Sequence, residues 1–327
     1  MKKIAIIGVG QLGSRHLQGL TSIQQSIDIE LVEPYAPMQK TAQERYEQMP
    51  NNELIHSVTF FDDISGLSDE LDLVIVATTA NVRRSVVDTL LDTKKVKNII
   101  LEKVLFQNYD DYDHFIHRFT ELNINVWVNH PRRLFPFYEQ LIADLQKSSH
   151  LSYHVQGGEW GMACNALHFL DHLLMLQSQS DPSIHIDTSM LKPEVIESKR
   201  KGCYEVYGTL SGTIGNSSFS LTCTKGEVIP ATISIMSENI RIIVDEYKGI
   251  GMISRKDNAW KWENYETKIV YFQSELTGMV ADSILTHQSC KLPTYYDAAL
   301  LHKPFIQKIQ EKIETSLGKS FGLCPIS

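Results

Sequence analysis

The sequence predicts an α/β protein in which a doubly wound parallel sheet is followed by a second α/β domain with an open, mainly antiparallel sheet. Three observations carry this expectation. The first 33 residues read strand, glycine turn, helix, strand, acid. Apolar strands then alternate with helices to about residue 130, the pattern of a parallel sheet with right-handed crossovers. From Cys203 to Val244 the pattern changes to period-two alternation with short turns, as in antiparallel strands with one face turned from the core.

Lys3–Ile7 is a short apolar run, and Gly8-Val-Gly-Gln-Leu-Gly13 follows directly. A helix is predicted from Leu12 to about Leu20, then a strand over Ile27–Val32 that ends at Glu33. Gly8 permits the tight turn, Gly10 leaves no Cβ in the path of a pyrophosphate, and Gly13 lets the helix approach the sheet. Gln11 and Leu12 complete a loop at the positive end of that helix. Glu33 lies twenty residues past Gly13, where a carboxylate can accept both hydroxyls of an adenosine ribose. Together these are the parts of a Rossmann dinucleotide site. The acid favours NAD over NADP, because a 2′-phosphate about 4 Å away is repelled by roughly 4 kcal/mol per unit charge at an effective dielectric near 20. The alternative, a glycine turn without a ligand, leaves the spacing of the acid unexplained.

The next elements follow in order. Met38–Met49 reads as a helix ending at Pro50, Val58–Phe61 as a strand, and Leu71–Ala77 as a strongly apolar strand. Thr78-Thr-Ala-Asn81 leads into a helix through about Leu91. Asn98–Leu101 is the strand that delivers Glu102 and Lys103; Tyr109–Thr120 is a helix, and Ile124–Val128 a strand ending at Asn129. Ligands of doubly wound sheets bind at the carboxyl ends of the strands. Gly8, Glu33, Thr78, Glu102, Lys103 and Asn129 all fall at such ends, with Thr79 and Asn81 just beyond Thr78.

The domain boundary is expected here, with residues 1–129 binding NAD and residues 130–327 serving substrate binding and oligomerisation. The C-terminal helices are left free to pack back on the first domain. Arg132–Lys147 is predicted as a helix, Leu151–Gln156 as a strand and Ala163–Gln177 as a helix. Cys203–Leu210, Ser217–Cys223, Ala231–Met236 and Ile240–Val244 are strands, the last two joined by Ser237-Glu-Asn239. Ser274–Thr286 and Tyr296–Ser316 are helical.

Length and charge narrow the possibilities. A chain of 327 residues suits two domains. The formal charge of −8, with no Lys/Arg run, speaks against nucleic acid as a partner. The five cysteines are scattered and lack CxxC spacing, so neither a disulfide framework nor a structural zinc site is expected. No apolar run reaches membrane-spanning length and the opening residues do not read as an export signal, so the cytoplasm is expected and a membrane is not.

Three clusters could carry chemistry. Lys103 could hydrogen-bond a substrate hydroxyl beside a bound nicotinamide; a solvated Glu-Lys pair is the plain alternative. Asn129, Arg132 and Arg133, at a strand end, could grip an anionic or hydroxyl-rich substrate, or the arginines could pair with acids. On the helix after Trp160, Cys164, Asn165, His168, Asp171 and His172 share a broad face. His168 could take a proton from a substrate hydroxyl, with Asp171 orienting its ring. His168 and His172 have metal-pair spacing, but no third ligand is evident and no metal is expected.

In this order the residues resemble the Gfo/Idh/MocA oxidoreductases. The resemblance spans nearly the whole chain. It comprises the glycine motif, Glu33, the Ala77-Thr78 strand end and Glu102-Lys103 standing for Glu-Lys-Pro. Arg132-Arg-Leu-Phe-Pro-Phe-Tyr138, the helix carrying His168 and Asp171, and the Thr294 to His302 segment complete it. It implies a Rossmann domain joined to a C-terminal α/β domain with an open sheet, with Lys103 as the active-site lysine and His168 as the acid/base. The family commonly has Asp four residues before this histidine, where this chain has Cys164, and Val104 replaces the proline. The Glu-Lys-Val and Asn-x-Pro-Arg-Arg variants resemble a branch associated with bacterial surface-polysaccharide and sialic-acid-like sugar pathways. The resemblance therefore implies an NAD-dependent oxidoreductase moving a hydride between nicotinamide and a hydroxyl carbon of a sugar, free or nucleotide-activated, or of a cyclitol. A homodimer or homotetramer through the C-terminal sheet is expected. A non-catalytic NAD-binding sensor and an NAD-dependent glycoside hydrolase remain as alternatives.

Overall fold

In the computed structural model, which describes residues 1–177 and 182–327, the apolar runs of the first 130 residues become parallel strands. They are β1 (Lys2–Ile7), β2 (Ile27–Val32), β3 (Ile55–Phe61), β4 (Leu73–Val76), β5 (Asn98–Leu101) and β6 (Asn125–Val128). Their order in the sheet is β3-β2-β1-β4-β5-β6, every neighbour parallel. Helices α1 (Gly13–Leu20), α2 (Ala36–Glu47), α3 (Ala80–Thr93) and α4 (Asp110–Glu121) connect them. β4 and β5 are buried along their whole length, as expected of parallel strands covered on both faces. The chain order turns round between β1 and β4, which makes their carboxyl ends the switch point where such sheets bind ligands.

Two compact units result. Unit 1 comprises Met1–Phe106, Asp110–Pro131 and Tyr271–Tyr296, and unit 2 comprises Gln107–Tyr109, Arg132–Val270 and Asp297–Ser327. In unit 2 the helix predicted over 132–147 is broken. Pro131–Leu134 is a 3₁₀ turn, and α5 (Pro136–Leu145) starts afresh with proline in its first turn, where a missing N–H costs least. β7 (Ser152–Gly158) and α6 (Met162–Leu176) follow. The remaining strands are β8 (Ile184–Asp187), β9 (Leu191–Glu197), β10 (Tyr204–Ile214), β11 (Ser217–Thr224), β12 (Ile229–Met236), β13 (Ile240–Asp245), β14 (Ile250–Arg255) and β15 (Trp262–Glu266). The sheet runs β8-β10-β11-β7-β12-β13-β14-β15, with β9 on β10. All pairs are antiparallel except β7 with β11, so the sheet is mainly antiparallel, as the alternation implied.

Four of these strands escape periodicity for physical reasons. β8 is short; β9 carries Pro193 and shifts register on β10; β14 contains Gly251; and β15 is an exposed polar edge strand. Helices α7 (Gln273–His287) and α8 (Tyr295–Leu317) close the chain. Among the described residues no helix is long and apolar enough to cross a membrane.

Candidate functional site

The site in unit 1 is built on the strand ends. Gly8 adopts φ +87°, and a Cβ there would lie 2.9 Å from the Thr78 backbone nitrogen. A Cβ on Gly13 would lie 2.0 Å from the Gly8 carbonyl oxygen, so the close approach that requires glycine is to the loop itself rather than chiefly to the sheet. Around Gly10 the space is open: beyond its own chain neighbours no atom lies within 4 Å of where its Cβ would be. Glu33 is 9% exposed at the end of β2. Its Oε1 accepts from the Tyr35 N–H at 3.1 Å, and Oε2 has no partner among the described residues. The Thr78 hydroxyl oxygen is buried without a hydrogen-bond partner. An open diphosphate cradle, a carboxylate oxygen available to a ribose and an unpaired hydroxyl at the switch point fit a dinucleotide. Gln11, Leu12, Thr79 and Asn81 are exposed around this cradle.

One neighbour was not legible in the sequence. Arg45 on α2 reaches back to the glycine loop, donating to Gln11 Oε1 at 2.7 Å and Ser14 Oγ at 2.6 Å.

Glu102 and Asn129, one at each of two adjacent strand ends, meet in a buried network. Asn129 Nδ2 donates to Glu102 Oε1 at 2.5 Å and to Gln273 Oε1 at 2.8 Å. His16 Nε2 lies 3.0 Å from the same Glu102 oxygen, and its Nδ1 lies 3.0 Å from Thr277 Oγ1. Burial pushes the Glu102 carboxyl up, but His16, Asn129 and the Arg83 charge more than offset it, so it sits below its ordinary value. An ionised carboxylate only accepts, so the His16 Nε2–H must be the donor. Lys103 follows on the loop, half-buried, and the Lys103–Val104 peptide is cis.

The candidate residues of unit 2 sort differently. On α6 a stripe of Cys164, Asn165 and His168 is half-buried, while Asp171 and His172 are both 0% exposed. Asn165 Nδ2 donates to the Trp160 carbonyl at 2.7 Å, and Glu205 Oε2 accepts from the Ala163 N–H at 2.8 Å near the start of α6.

Asp171 was expected to orient His168. Its carboxylate instead receives Arg133 bidentately, with Nε 2.9 Å from Oδ2 and Nη2 2.9 Å from Oδ1. Burial holds Asp171 above the usual carboxylate range against the pull of Arg133. In this structure Asp171 is fully buried as the partner of Arg133.

Arg132 is paired as tightly. Its Nε lies 3.0 Å from Glu246 Oε1 and its Nη2 2.7 Å from Oε2, while its guanidinium lies over the Phe169 ring at 4.1 Å. Tyr138 donates to the same Glu246 at 2.7 Å. Burial would lower the Arg132 pKa, and Glu246 more than reverses that, so the guanidinium holds its proton more firmly than an ordinary arginine. The His172 Nδ1 pairs with the Tyr153 hydroxyl at 2.9 Å, while its Nε2 is buried without a partner. Burial, then the charges of Arg132 and Arg133, hold this imidazole well below its ordinary value. Among the described residues no group of three His, Cys, Asp or Glu side chains could hold a metal ion.

Comparison with known proteins follows the same division. Residues 2–130 match the Gfo/Idh/MocA family described as an oxidoreductase family with an NAD-binding Rossmann fold. Comparison with curated proteins gives no match. Solved structures match over both units. An oxidoreductase from Agrobacterium radiobacter in complex with NAD⁺, L-tartaric acid and magnesium is 14% identical, covering 97% of each chain with a TM-score of 0.71. UDP-N-acetylglucosamine 3-dehydrogenase from Acidithiobacillus ferrooxidans is 15% identical at a TM-score of 0.67, covering 96% of this chain and 98% of its own. The super-repressor form of Gal80p from Saccharomyces cerevisiae is 16% identical at 0.68, covering 97% and 96%. At such identity the likeness establishes the fold alone.

Proposed function

With residues 2–130 matching the NAD-binding Rossmann fold of the Gfo/Idh/MocA oxidoreductases, we propose that the chain is an NAD-dependent oxidoreductase. Its substrate is the CH–OH group of a sugar, free or nucleotide-activated, or of a cyclitol. The observation that carries this reading is Lys103, half-buried at the end of β5. The adjacent strand β4 ends at an unpaired Thr78 hydroxyl, and the glycine loop is open for a diphosphate. The likeness to a UDP-N-acetylglucosamine dehydrogenase supports the sugar class.

Bound NAD supplies the hydride acceptor or donor. Lys103 hydrogen-bonds the substrate hydroxyl, and His168 takes its proton on oxidation and returns it on reduction. Cys164 and Asn165, on the same half-buried stripe as His168, contact the substrate, while Asn129 acts through the buried network it makes with Glu102 and Gln273. Arg132 and Arg133 contribute through Nη1, which neither carboxylate pair engages. The single free oxygen of Glu33 favours NAD over NADP. Exposed Ile229, Met236, Ile250 and Trp262 on the strands of unit 2 support a homodimer or homotetramer through that sheet, which light scattering tests.

A second reading, an NAD-binding regulator without turnover, is supported by the likeness to Gal80p and by Cys164 standing where the family commonly has Asp. The deciding experiment releases and identifies any cofactor from the purified protein, then follows nicotinamide absorbance over sugars, nucleotide sugars and inositols. Turnover on one class, abolished in Lys103→Ala and His168→Ala while NAD affinity stays within about threefold, is the expected result. NAD without turnover anywhere would favour the regulator. Glycoside cleavage without net reduced NAD would favour the hydrolase, and absence of both NAD and NADP binding would end the reading.

A further inference from the structure

Arg83 lies on α3, its side chain turned inward and only 2% exposed. Its Nη1 donates to the carbonyl of Glu102 at 2.7 Å, to that of Leu105 at 3.0 Å and to that of Val104. Its Nη2 donates to the Thr78 carbonyl. One guanidinium thus gathers the backbone of the loop on both sides of Lys103 and ties it to the end of β4. Arg84, next in the chain, shows the ordinary alternative: it is far more exposed and pairs with the carboxylates of Asp88 and Asp111.

Burying a cation is costly, and an apolar side chain would fill the same volume without that cost. What the planar fork adds is several donors in fixed directions, which neither a lysine ammonium nor an amide reproduces. Here the fork meets the carbonyls flanking Lys103 on one side and the strand end bearing the unpaired Thr78 hydroxyl on the other.

We propose that Arg83 is a positioning residue for Lys103: it fixes the 102–105 loop to the end of β4, so that the amine and the cofactor-side strand end are set by one side chain. The proposal rests on Lys103 being the active-site amine. It adds that the orientation of that amine depends on a residue outside the strand-end motifs.

The test uses the full chain and three readouts on Arg83→Ala and Arg83→Lys. The first is hydrogen exchange of the 102–106 amides. The second is the rate at which Lys103 is acylated by an amine reagent, read by peptide mass spectrometry. The third is kcat and KM once a substrate is known. In Arg83→Ala, exchange should rise at least tenfold and Lys103 acylation should change at least fivefold. The kcat should fall at least tenfold with KM for the cofactor within threefold, and millimolar guanidinium ion should restore part of each. Arg83→Lys should fall between Arg83→Ala and the native chain, and it carries the test if the alanine variant does not fold. Unchanged exchange and Lys103 reactivity in a folded variant would overturn the proposal. So would a drop in kcat that only tracks the unfolded fraction and shows no guanidinium rescue. If the native protein turns over no substrate, the functional reading fails, whereas exchange and acylation still decide the role of Arg83.

Discussion

Each unit buries a polar cluster, and the two are built on different terms. In unit 1 a single carboxylate, Glu102, is the focus, met by the neutral amide of Asn129 and by His16. In unit 2 two arginines meet two carboxylates in bidentate pairs, Arg132 with Glu246 and Arg133 with Asp171. In the first cluster one member, Glu102, is followed in the chain by the half-buried Lys103 at a strand end. The second places most of its charge against itself, and through Asp171 and Phe169 it fastens α6, the helix that carries His168. Arginines at a domain entrance look like ligand grips in a sequence; whether they are depends on whether the fold also buries an acid against them. Within unit 1, Glu33 makes the converse point, since its Oε2 is left unpaired and therefore available.

The most forceful way to break the comparison is Glu246→Gln. It leaves the Arg132 charge buried without its partner and should cost about 3–5 kcal/mol in denaturant unfolding. Arg132→Met with Glu246→Leu should recover most of that loss. A cost below about 1 kcal/mol for the single variant would mean that the pair is not what holds unit 2.

Glu102→Gln, the corresponding change in unit 1, should cost less, about 1–3 kcal/mol, because the partners left behind are His16 and a neutral amide. It should also alter the acid limb. The folded-state value of Glu102 is depressed, so its contribution is present above the ordinary glutamate range and is lost as pH falls through the folded value. Stability of the Gln variant, measured from neutral pH downward, should therefore fall less steeply.

His172→Phe sharpens the contrast in sign. The folded imidazole is held well below its ordinary value by burial and by Arg132 and Arg133, whereas the unfolded chain protonates normally. The unfolded state then binds the extra proton, so stability drops as pH falls below about 6.5, by up to roughly 1.4 kcal/mol per pH unit. The Phe variant should lack that component; an unchanged slope would show that His172 is not its source.

The smallest expected change in stability is for Glu33→Gln, below about 0.5 kcal/mol as at other positions without a buried partner. Its effect lies in binding. The ratio of NAD to NADP affinity, measured by fluorescence titration, should fall at least about tenfold, towards the roughly thousandfold that ~4 kcal/mol represents without screening, as the repulsion of a 2′-phosphate is removed.

What the sequence determined by itself was the local part. The strand, the glycine turn, α1, β2 and Glu33 fall within 33 residues, and their spacing follows from the geometry of one β–α–β passage. The stripe of Cys164, Asn165 and His168 was legible for the same reason, since helical spacing alone puts those residues on one face. Tertiary structure decided the partners. Gln273 and Thr277 reach Asn129 and His16 from the far end of the chain, and Glu246 reaches Arg132 across 114 positions. Arg83 clasps backbone carbonyls, which every residue possesses and which therefore leave no trace in a side-chain pattern. Periodicity reports which way a residue faces. It carries nothing about which distant group will be packed against it, and for a buried charge that neighbour decides between scaffold and site.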